Sequence, residues 1–152
     1  MTWLEEIITC KTLKLKTQKD KKGIQVFDII RKKWIYLSEE EKVRQLFIHY
    51  LKEIRNIPLS KISIEKKFTL QGLNKRFDLI ILNEDFGVDI LCEFKKETEP
   101  IYSNKHLDQL LNYQIFQQAR VLLITNGTHT FGYKKAEHNK IIEITSLNEC
   151  WD

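Results

Sequence analysis

Glycine, proline and methionine are scarce in this sequence, which has five Gly, two Pro and one Met among 152 residues. Disordered and fibrous chains are rich in glycine or proline, so the composition excludes both classes. Hydrophobic residues make up 42% of the chain and aromatic residues 11%, as in ordinary globular proteins. We therefore expect a single domain over residues 1–152 with a hydrophobic core of its own.

Cysteine is also scarce, and long apolar runs are missing. Cys10, Cys92 and Cys150 lie far apart and form no CxxC motif, which excludes a disulfide framework and a structural zinc site and indicates reduced thiols. No apolar stretch approaches the roughly 18 residues of a membrane-spanning helix, and the first residues lack the pattern of a secretion signal. The expected location is the cytoplasm, without a membrane partner.

Positive charge is concentrated in one segment, although the formal net charge is only +4. Residues 11–35 contain nine Lys or Arg and two acids, whereas the remainder of the chain is net acidic. A basic segment attracts phosphate, and an acidic cluster binds cations. A solvated basic arm explains the same segment, and on charge alone that interpretation is favoured.

The first part of the chain is predicted to form a basic β-hairpin and a helix. Thr12–Lys16 and Gly23–Ile30 alternate between polar and apolar residues, with a polar turn between them. After Ser38, apolar residues at helical spacing predict an α-helix that ends before Asn56 and Pro58. The apolar stripe of this helix comprises Val43, Leu46, Phe47, Tyr50, Leu51 and Ile54.

Strand patterns dominate the rest of the sequence. Three consecutive antiparallel strands are predicted at Ile62–Leu70, Arg76–Leu82 and Val88–Lys95. Helical spacing returns in Asn104–Gln118. Further strands are predicted at Val121–Thr125, His129–Tyr133 and Ile141–Ile144. This order of elements predicts an α/β or α+β fold, a sheet with helices packed on it.

Two acids and a lysine lie on adjacent predicted strands, Asp78 in KRFDLII and both Glu93 and Lys95 in CEFKK. A turn centred between Asp85 and Phe86 sets Asp78 directly opposite Glu93. Opposed carboxylates on a sheet repel each other, so we expect a cation between them. An exposed, salt-bridged face is the alternative, and for this spacing alone it is the favoured one.

Oxygen ligands without histidine or cysteine suit Mg²⁺ or Mn²⁺. Such an ion activates a water molecule and polarises a scissile phosphate, and Lys95 orients that water, deprotonates it or stabilises the developing charge. The sequence leaves these three roles open. By simple alternation, Asp78 shares a face of its strand with Ile80 and Leu82.

The two helices offer further candidates. On a helical wheel Glu40 leans towards the apolar stripe, whereas Glu41 completes the capping-box pattern with Ser38. We therefore expect Glu40 rather than Glu41 as the third metal ligand. On the second helix Gln109 and Tyr113 share a face, from which they reach the site or a phosphate, or form a buried polar pair.

Together these residues resemble the PD-(D/E)XK nuclease superfamily, and more closely the N-terminal nuclease-like domain of type I restriction enzyme R subunits. The resemblance covers residues 27–133 and is carried by RKKWIYLSEEEKVRQ, KRFDLIIL, CEFKKE, DQLLNYQ and LLITNGTHTFGY. The chain departs from the family pattern at Phe77 and Glu39, where relatives have proline.

The resemblance implies a restriction-endonuclease-like core, with a central mixed sheet flanked by helices. Residues 1–35 would be the basic N-terminal hairpin or arm, 36–135 the core, and 136–152 a C-terminal strand or tail. The implied activity is Mg²⁺-dependent hydrolysis of phosphodiester bonds in DNA, as an endonuclease or an exonuclease.

The resemblance also assigns roles. Asp78 and Glu93 would bind the metal with help from a glutamate of the first helix, and Lys95 would be the catalytic lysine. Gln109 and Tyr113 would match the QxxxY motif that supports the site in related nucleases.

The sequence lacks a GxxxxGK[ST] phosphate loop, which excludes an ATP-driven translocase. The chain would therefore act alone, as a homodimer or with a partner subunit. The alternative to a nuclease is a catalytically silent module of the same fold that binds nucleic acid or another subunit.

Overall fold

A computed structural model of the chain describes residues 14–70, 73–101 and 118–152. These ranges contain nine β-strands and one α-helix, arranged as an α+β fold with a three-stranded and a six-stranded sheet. No helix in the described ranges is long and apolar enough to cross a membrane.

The smaller sheet precedes the helix and is antiparallel throughout. Its strands, in spatial order, are β1 (Thr17–Asp20), β2 (Gly23–Asp28) and β3 (Lys33–Tyr36). The turn from β1 to β2 is tight because Asp20 Oδ1 accepts hydrogen bonds from the backbone N–H groups of Lys22 and Gly23. Gly23 has φ +143°, which glycine adopts without strain.

The observed strands differ from the predicted hairpin in two respects. The first strand begins at Thr17 rather than Thr12, and residues 14–16 lie before it without strand structure, while residues 12 and 13 lie outside the described ranges. The sequence pattern also missed β3. Its four residues are too few to show a clear alternation.

The single described helix, α1, spans Glu39–Glu53. Ser38 caps its N-terminus, since Ser38 Oγ accepts a hydrogen bond of 3.0 Å from the Glu41 N–H. The predicted stripe is buried except at its end. Ile54 is 41% exposed because it forms the C-cap, and the chain turns away at Asn56, which has φ +55°.

The larger sheet follows α1 and holds six strands in sequence order. They are β4 (Ile62–Leu70), β5 (Leu73–Leu82), β6 (Val88–Phe94), β7 (Val121–Thr125), β8 (Thr130–Lys135) and β9 (Ile141–Ile144). Neighbours are antiparallel except β6 and β7, which are parallel. The predicted antiparallel strands β4 to β6 are confirmed, as are the bounds of β7 and β9.

Hydrophobic residues pack on both faces of this sheet. One cluster lies between α1 and the sheet and includes Phe47, Leu51 and Phe94. The second cluster includes Ile80, Leu91 and other residues of the opposite face. Burial on both faces explains why every residue of β7 is buried.

The second predicted helix falls on residues 102–117, which lie outside the described ranges. Gln109 and Tyr113 lie there, so their place relative to the acids stays a prediction.

Candidate metal centre

The hairpin of β5 and β6 sets the positions of the two acids on the strands. Next to the acids, the paired residues are Leu79 and Cys92, Ile80 and Leu91, and Ile81 and Ile90, which is the predicted register. Nearer the turn the register shifts and Leu82 pairs with Val88, so the predicted turn centre between Asp85 and Phe86 is wrong. Asp78 and Glu93 lie one step beyond the pair of Leu79 and Cys92, at the end of the ladder between β5 and β6.

The Asp78 carboxylate is held by two donors at this point. Its Oδ2 accepts a hydrogen bond of 2.7 Å from the Phe94 N–H, and its Oδ1 lies 3.4 Å from Arg44 Nη2 on α1. Burial raises the pKa of Asp78, and the Glu93 carboxylate raises it further. The Phe94 N–H, Arg44 and Lys95 oppose this shift without cancelling it.

The side chain of Asp78 does not follow the predicted alternation along β5. Ile80 packs in the cluster that faces away from α1, whereas Asp78 reaches Arg44 on α1 itself. The described ladder between β4 and β5 has no pair between Glu65 and Asp78, and Glu65 has φ +56°. At this break the alternation of β5 is interrupted, since Phe77 packs in the same cluster as Ile80 and Leu79 packs in the cluster next to α1. The expectation that Asp78 shares a face with Ile80 is therefore wrong.

Lys95 and Glu93 form an ion pair at the end of β6. Lys95 Nζ lies 3.0 Å from Glu93 Oε1, and both side chains are largely covered. Burial by itself lowers the pKa of Lys95, but the hydrogen bond to Glu93 and the charges of Glu93, Glu99 and Asp78 outweigh it and raise the pKa. The Lys95 ammonium is therefore protonated at neutral pH.

Glu40, in the first turn of α1, interacts electrostatically with the same charged groups. Burial raises the pKa of Glu40, and the Asp78 carboxylate raises it further, while Arg44 and Lys95 act in the opposite direction. Two carboxyl groups from different elements therefore lie within electrostatic range of each other and of the lysine. The choice of Glu40 as the helix acid stays a prediction.

Glu41 has other partners. Its carboxylate accepts hydrogen bonds from Arg44 Nη1 at 3.0 Å and from Gln45 Nε2 at 2.9 Å, in place of the reciprocal bond of a capping box. Gln45 Nε2 also donates to Asp28 Oδ2 at 3.0 Å. Glu41 thus ties the helix to the smaller sheet and belongs to a structural network.

Comparison with known families bears on this cluster. The family model of the type I restriction enzyme R protein N terminus matches residues 39–148, most of the chain. The chain belongs to this family. The resemblance to the N-terminal domain of type I restriction enzyme R subunits is confirmed, and the protein has a restriction-enzyme-related role. The wider resemblance to the PD-(D/E)XK superfamily stays a prediction. No curated protein matches the chain significantly.

The matched region of this R-protein N-terminal domain begins at the first residue of α1 and includes β5 and β6. The candidate acids and Lys95 all lie inside it. The smaller sheet, residues 17–36, lies outside it.

Arg44 is a residue of the site that the sequence reasoning missed. It is 5% exposed, and its guanidinium contacts Asp78, Glu41 at 3.0 Å and Glu65 at 3.6 Å. Arg76 also binds Glu65, at 2.7 Å. The available signal was a cation three residues after Glu41 and four after Glu40, a spacing at which helical side chains meet.

The donor chemistry of the cluster fits a hard divalent cation that keeps several waters. Within the described ranges no three His, Cys, Asp or Glu side chains form a ready ligand set. Magnesium sites often use only one or two carboxylates, with water and phosphate oxygens as the other ligands. Asp78 and Glu93 can supply two, since a carboxylate has about four lone-pair positions and accepts several bonds.

Proposed function

We propose that this domain is a metal-dependent nuclease that hydrolyses phosphodiester bonds in DNA, on a restriction-endonuclease-like core. The observation that carries the proposal is the ion pair of Lys95 with Glu93 at the end of β6, within electrostatic range of Asp78 on β5. Glu40 on α1 lies within electrostatic range of Asp78 and Lys95. Membership in a family of restriction enzyme R proteins supports DNA as the substrate.

The acids would hold Mg²⁺ or Mn²⁺. Asp78 and Glu93 are the proposed ligands, and Glu40 would support them from α1. The bound ion would polarise the phosphate and lower the pKa of a water molecule. The raised pKa values of Asp78 and Glu40 agree with a site where negative charge is concentrated and partly buried.

Lys95 would act as a cation next to the attacking water. Its ion pair with Glu93 holds the ammonium at the end of β6. From there the ammonium can orient the water and stabilise the charge that develops on the phosphate oxygens. Because the acids that raise its pKa are the proposed metal ligands, their effect on Lys95 is strongest in the metal-free protein.

Arg44 has a separate role in the proposal. Its contact with Asp78 balances the buried carboxylate while no cation is bound. The distance is 3.4 Å, compared with 3.0 Å from Arg44 to Glu41. We therefore assign Arg44 as a positioning residue that balances the charge of Asp78 from α1, with Glu41 as its nearer partner.

A binding module without nuclease activity is the rival function. The Arg44 contact favours it, since Asp78 already has a cationic partner that would serve a protein with no metal. Such a module would bind DNA in a salt-sensitive way, and Asp78→Ala would not affect that binding.

The test is DNA cleavage with Mg²⁺ or Mn²⁺ by the wild-type protein, Lys95→Ala and Lys96→Ala. Lys96 is the matched control, because it is the exposed neighbour of Lys95. We expect Lys95→Ala to lower the single-turnover cleavage rate about a hundredfold or more, the scale of losing one charge-stabilising donor. Lys96→Ala should cleave at the wild-type rate. Equal rates for Lys95→Ala and wild type, or no cleavage by wild type of any DNA form, would refute the proposal.

A further inference from the structure

The smaller sheet has an outward face made of aromatic, amide and lysine side chains. Its residues form two rows. In one row Gln18, Gln25 and Tyr36 are paired across the three strands. In the other row Phe27 pairs with Trp34, and Lys16, just before β1, accepts a hydrogen bond of 2.9 Å from the Phe27 N–H. We call these six residues the aromatic face.

The opposite face of the same sheet packs towards α1. Val26 and Asp28 are both fully buried, and Asp28 binds Gln45 of α1. Side chains alternate along β2, so Gln25 and Phe27 point away from the helix. Within the described ranges, the three aromatic residues of the aromatic face contribute to neither hydrophobic cluster. They are therefore not explained by the core.

Contacts within the aromatic face hold its side chains in place. The Phe27 and Trp34 rings meet edge to face, with centroids 5.5 Å apart, and Lys16 Nζ lies 5.3 Å from the Phe27 centroid. Gln18 donates to Gln25 at 2.7 Å. Tyr36 is 48% exposed and donates from its hydroxyl to Asp20 at 2.8 Å.

Positive charge surrounds this face. All seven lysines between residues 14 and 33 are exposed. None of these lysines forms a salt bridge in the part of the chain that the structure describes. The two acids of the segment are engaged, Asp20 by Tyr36 and the turn, and Asp28 by Arg31 and Gln45. The surface therefore presents unbalanced positive charge.

We infer that the aromatic face binds single-stranded DNA by stacking bases on Phe27, Trp34 and Tyr36. Lysines beside such rings neutralise the phosphates, and amides such as Gln18 and Gln25 can hydrogen-bond to base edges. Aromatic rings reach bases only where these are unstacked, which favours a single strand over a duplex. Lysine is depleted in protein–protein interfaces, which argues against a protein partner. The inference goes beyond metal-dependent cleavage and requires no metal.

The contact of Lys16 with the rings is compatible with this use. An exposed cation–π contact is weak, and the lysine side chain is flexible. A stacking base can take its place over the rings, while the ammonium moves to the neighbouring phosphate.

The test measures binding of a fluorescent oligothymidylate of roughly 15 nucleotides, near the upper site size of one binding fold, to the full chain in EDTA. We expect Trp34→Ala to weaken binding about tenfold or more, the scale of losing one stacked base. Trp34→Phe should retain most of the affinity because it keeps a ring. Binding should also quench tryptophan fluorescence in the wild type, and less so in Trp34→Phe.

Phe86→Ala is the matched control. Phe86 is 61% exposed and has Lys61 Nζ at 5.6 Å from its centroid, so it repeats the lysine–ring contact elsewhere on the surface. The affinity of Phe86→Ala for the oligothymidylate should equal that of the wild type. Lys16→Gln, at an exposed position, should reduce both the affinity and the salt dependence of binding. This variant replaces Trp34→Ala as the test if Trp34→Ala fails to fold.

Three results would overturn the inference. The first is the absence of single-strand binding by the folded wild-type protein. The second is equal affinity of folded Trp34→Ala and wild type, and the third is equal affinity for duplex and single strand. Either of the last two would mean that charge alone accounts for binding. Because the measurement contains no divalent metal, failure of the nuclease proposal leaves its result unchanged.

Discussion

Among the described residues, Arg44 is the buried cation that contacts Asp78, Glu41 and Glu65 together. Replacing it by methionine leaves these acids without their shared partner while preserving much of the side-chain volume. We expect Arg44→Met to lower the free energy of unfolding by about 3–5 kcal/mol, as when one partner of a buried ion pair is removed. Urea unfolding measures the change.

Lys52→Met is the control for this substitution. Lys52 lies on the same helix, is 45% exposed, and pairs only with its neighbour Glu53 in the described structure. Its effect should stay within about 0.5 kcal/mol. If Arg44→Met were as stable as wild type, Arg44 would not be the counter-charge of the site. Added Mn²⁺ should restore more stability to Arg44→Met than to the wild type.

Asp78 should make stability depend on pH. Its pKa is raised in the fold, mainly by burial, so the folded protein binds this proton more tightly than the unfolded chain does. The contribution to stability is therefore greatest below the ordinary value of 3.8, and it falls as pH rises through the range between 3.8 and the raised pKa. Without metal, Asp78→Asn should be more stable than wild type above this range, and equally stable below it.

Thermal unfolding in EDTA between acidic and neutral pH measures this difference. Asp85→Asn is the control, because Asp85 lies in the exposed turn between β5 and β6. Its unfolding profile should follow that of the wild type. If Asp78→Asn were less stable than wild type at neutral pH, the stabilising contacts of the carboxylate would outweigh the cost of burying it. Added Mg²⁺ should raise the melting temperature of the wild type but not of Asp78→Asn.

At the residue scale, the sequence identified the acids and the lysine but not what surrounds them. Motif spacing is visible along the chain, so Asp78, Glu93 and Lys95 could be singled out. Arg44 could not, since its role depends on the contact between α1 and β5. The direction of the Asp78 side chain was also hidden, because it depends on a break in the ladder beside Glu65.

At the element scale, the first turn of α1 connects the fold to the site. Ser38 caps this turn. From the same turn, Glu40 interacts electrostatically with Asp78, and Glu41 accepts a hydrogen bond from Arg44. Ser38→Ala should lower the free energy of unfolding by about 1 kcal/mol through the lost cap. Chemical denaturation measures this loss, and cleavage should weaken at the same time because Glu40 becomes less well positioned.

Ser38→Asp should retain both properties, since aspartate is an equally good N-cap. Ser60→Ala provides the matched control, at an exposed serine in the short turn before β4. A Ser38→Ala protein as stable as wild type would contradict the assignment of the cap.

Elements with a strong local signal were predicted well. The helix has a cap and an apolar stripe, and β7 is a short, mostly apolar run followed by turn residues, so both are visible in a few neighbouring positions. The sequence pattern did not predict strand β3 or the observed bounds of β1. Their positions depend on the tight turn at Asp20 and on pairing within the small sheet, where lysines obscure the alternation.

At the scale of the whole molecule, the larger sheet is buried on both faces, and the candidate site lies at the end of its β5–β6 ladder. The parallel pairing of β6 with β7 could not be derived from strand patterns, since a parallel neighbour depends on how the intervening chain crosses over. The antiparallel pairing of β5 with β6 could be derived from the sequence, because a short turn fixes the register of a hairpin. That register is what makes the two acids a candidate pair.

The central claim is that Asp78 and Glu93 bind a divalent metal together. The most direct measurement is an anomalous difference map from crystals of the domain soaked in Mn²⁺, with crystals of Asp78→Asn soaked in the same way. The account predicts a peak between the Asp78 and Glu93 carboxylates in the wild type and none in the variant. A wild-type map without density there, with Asp78 still paired to Arg44, would contradict it.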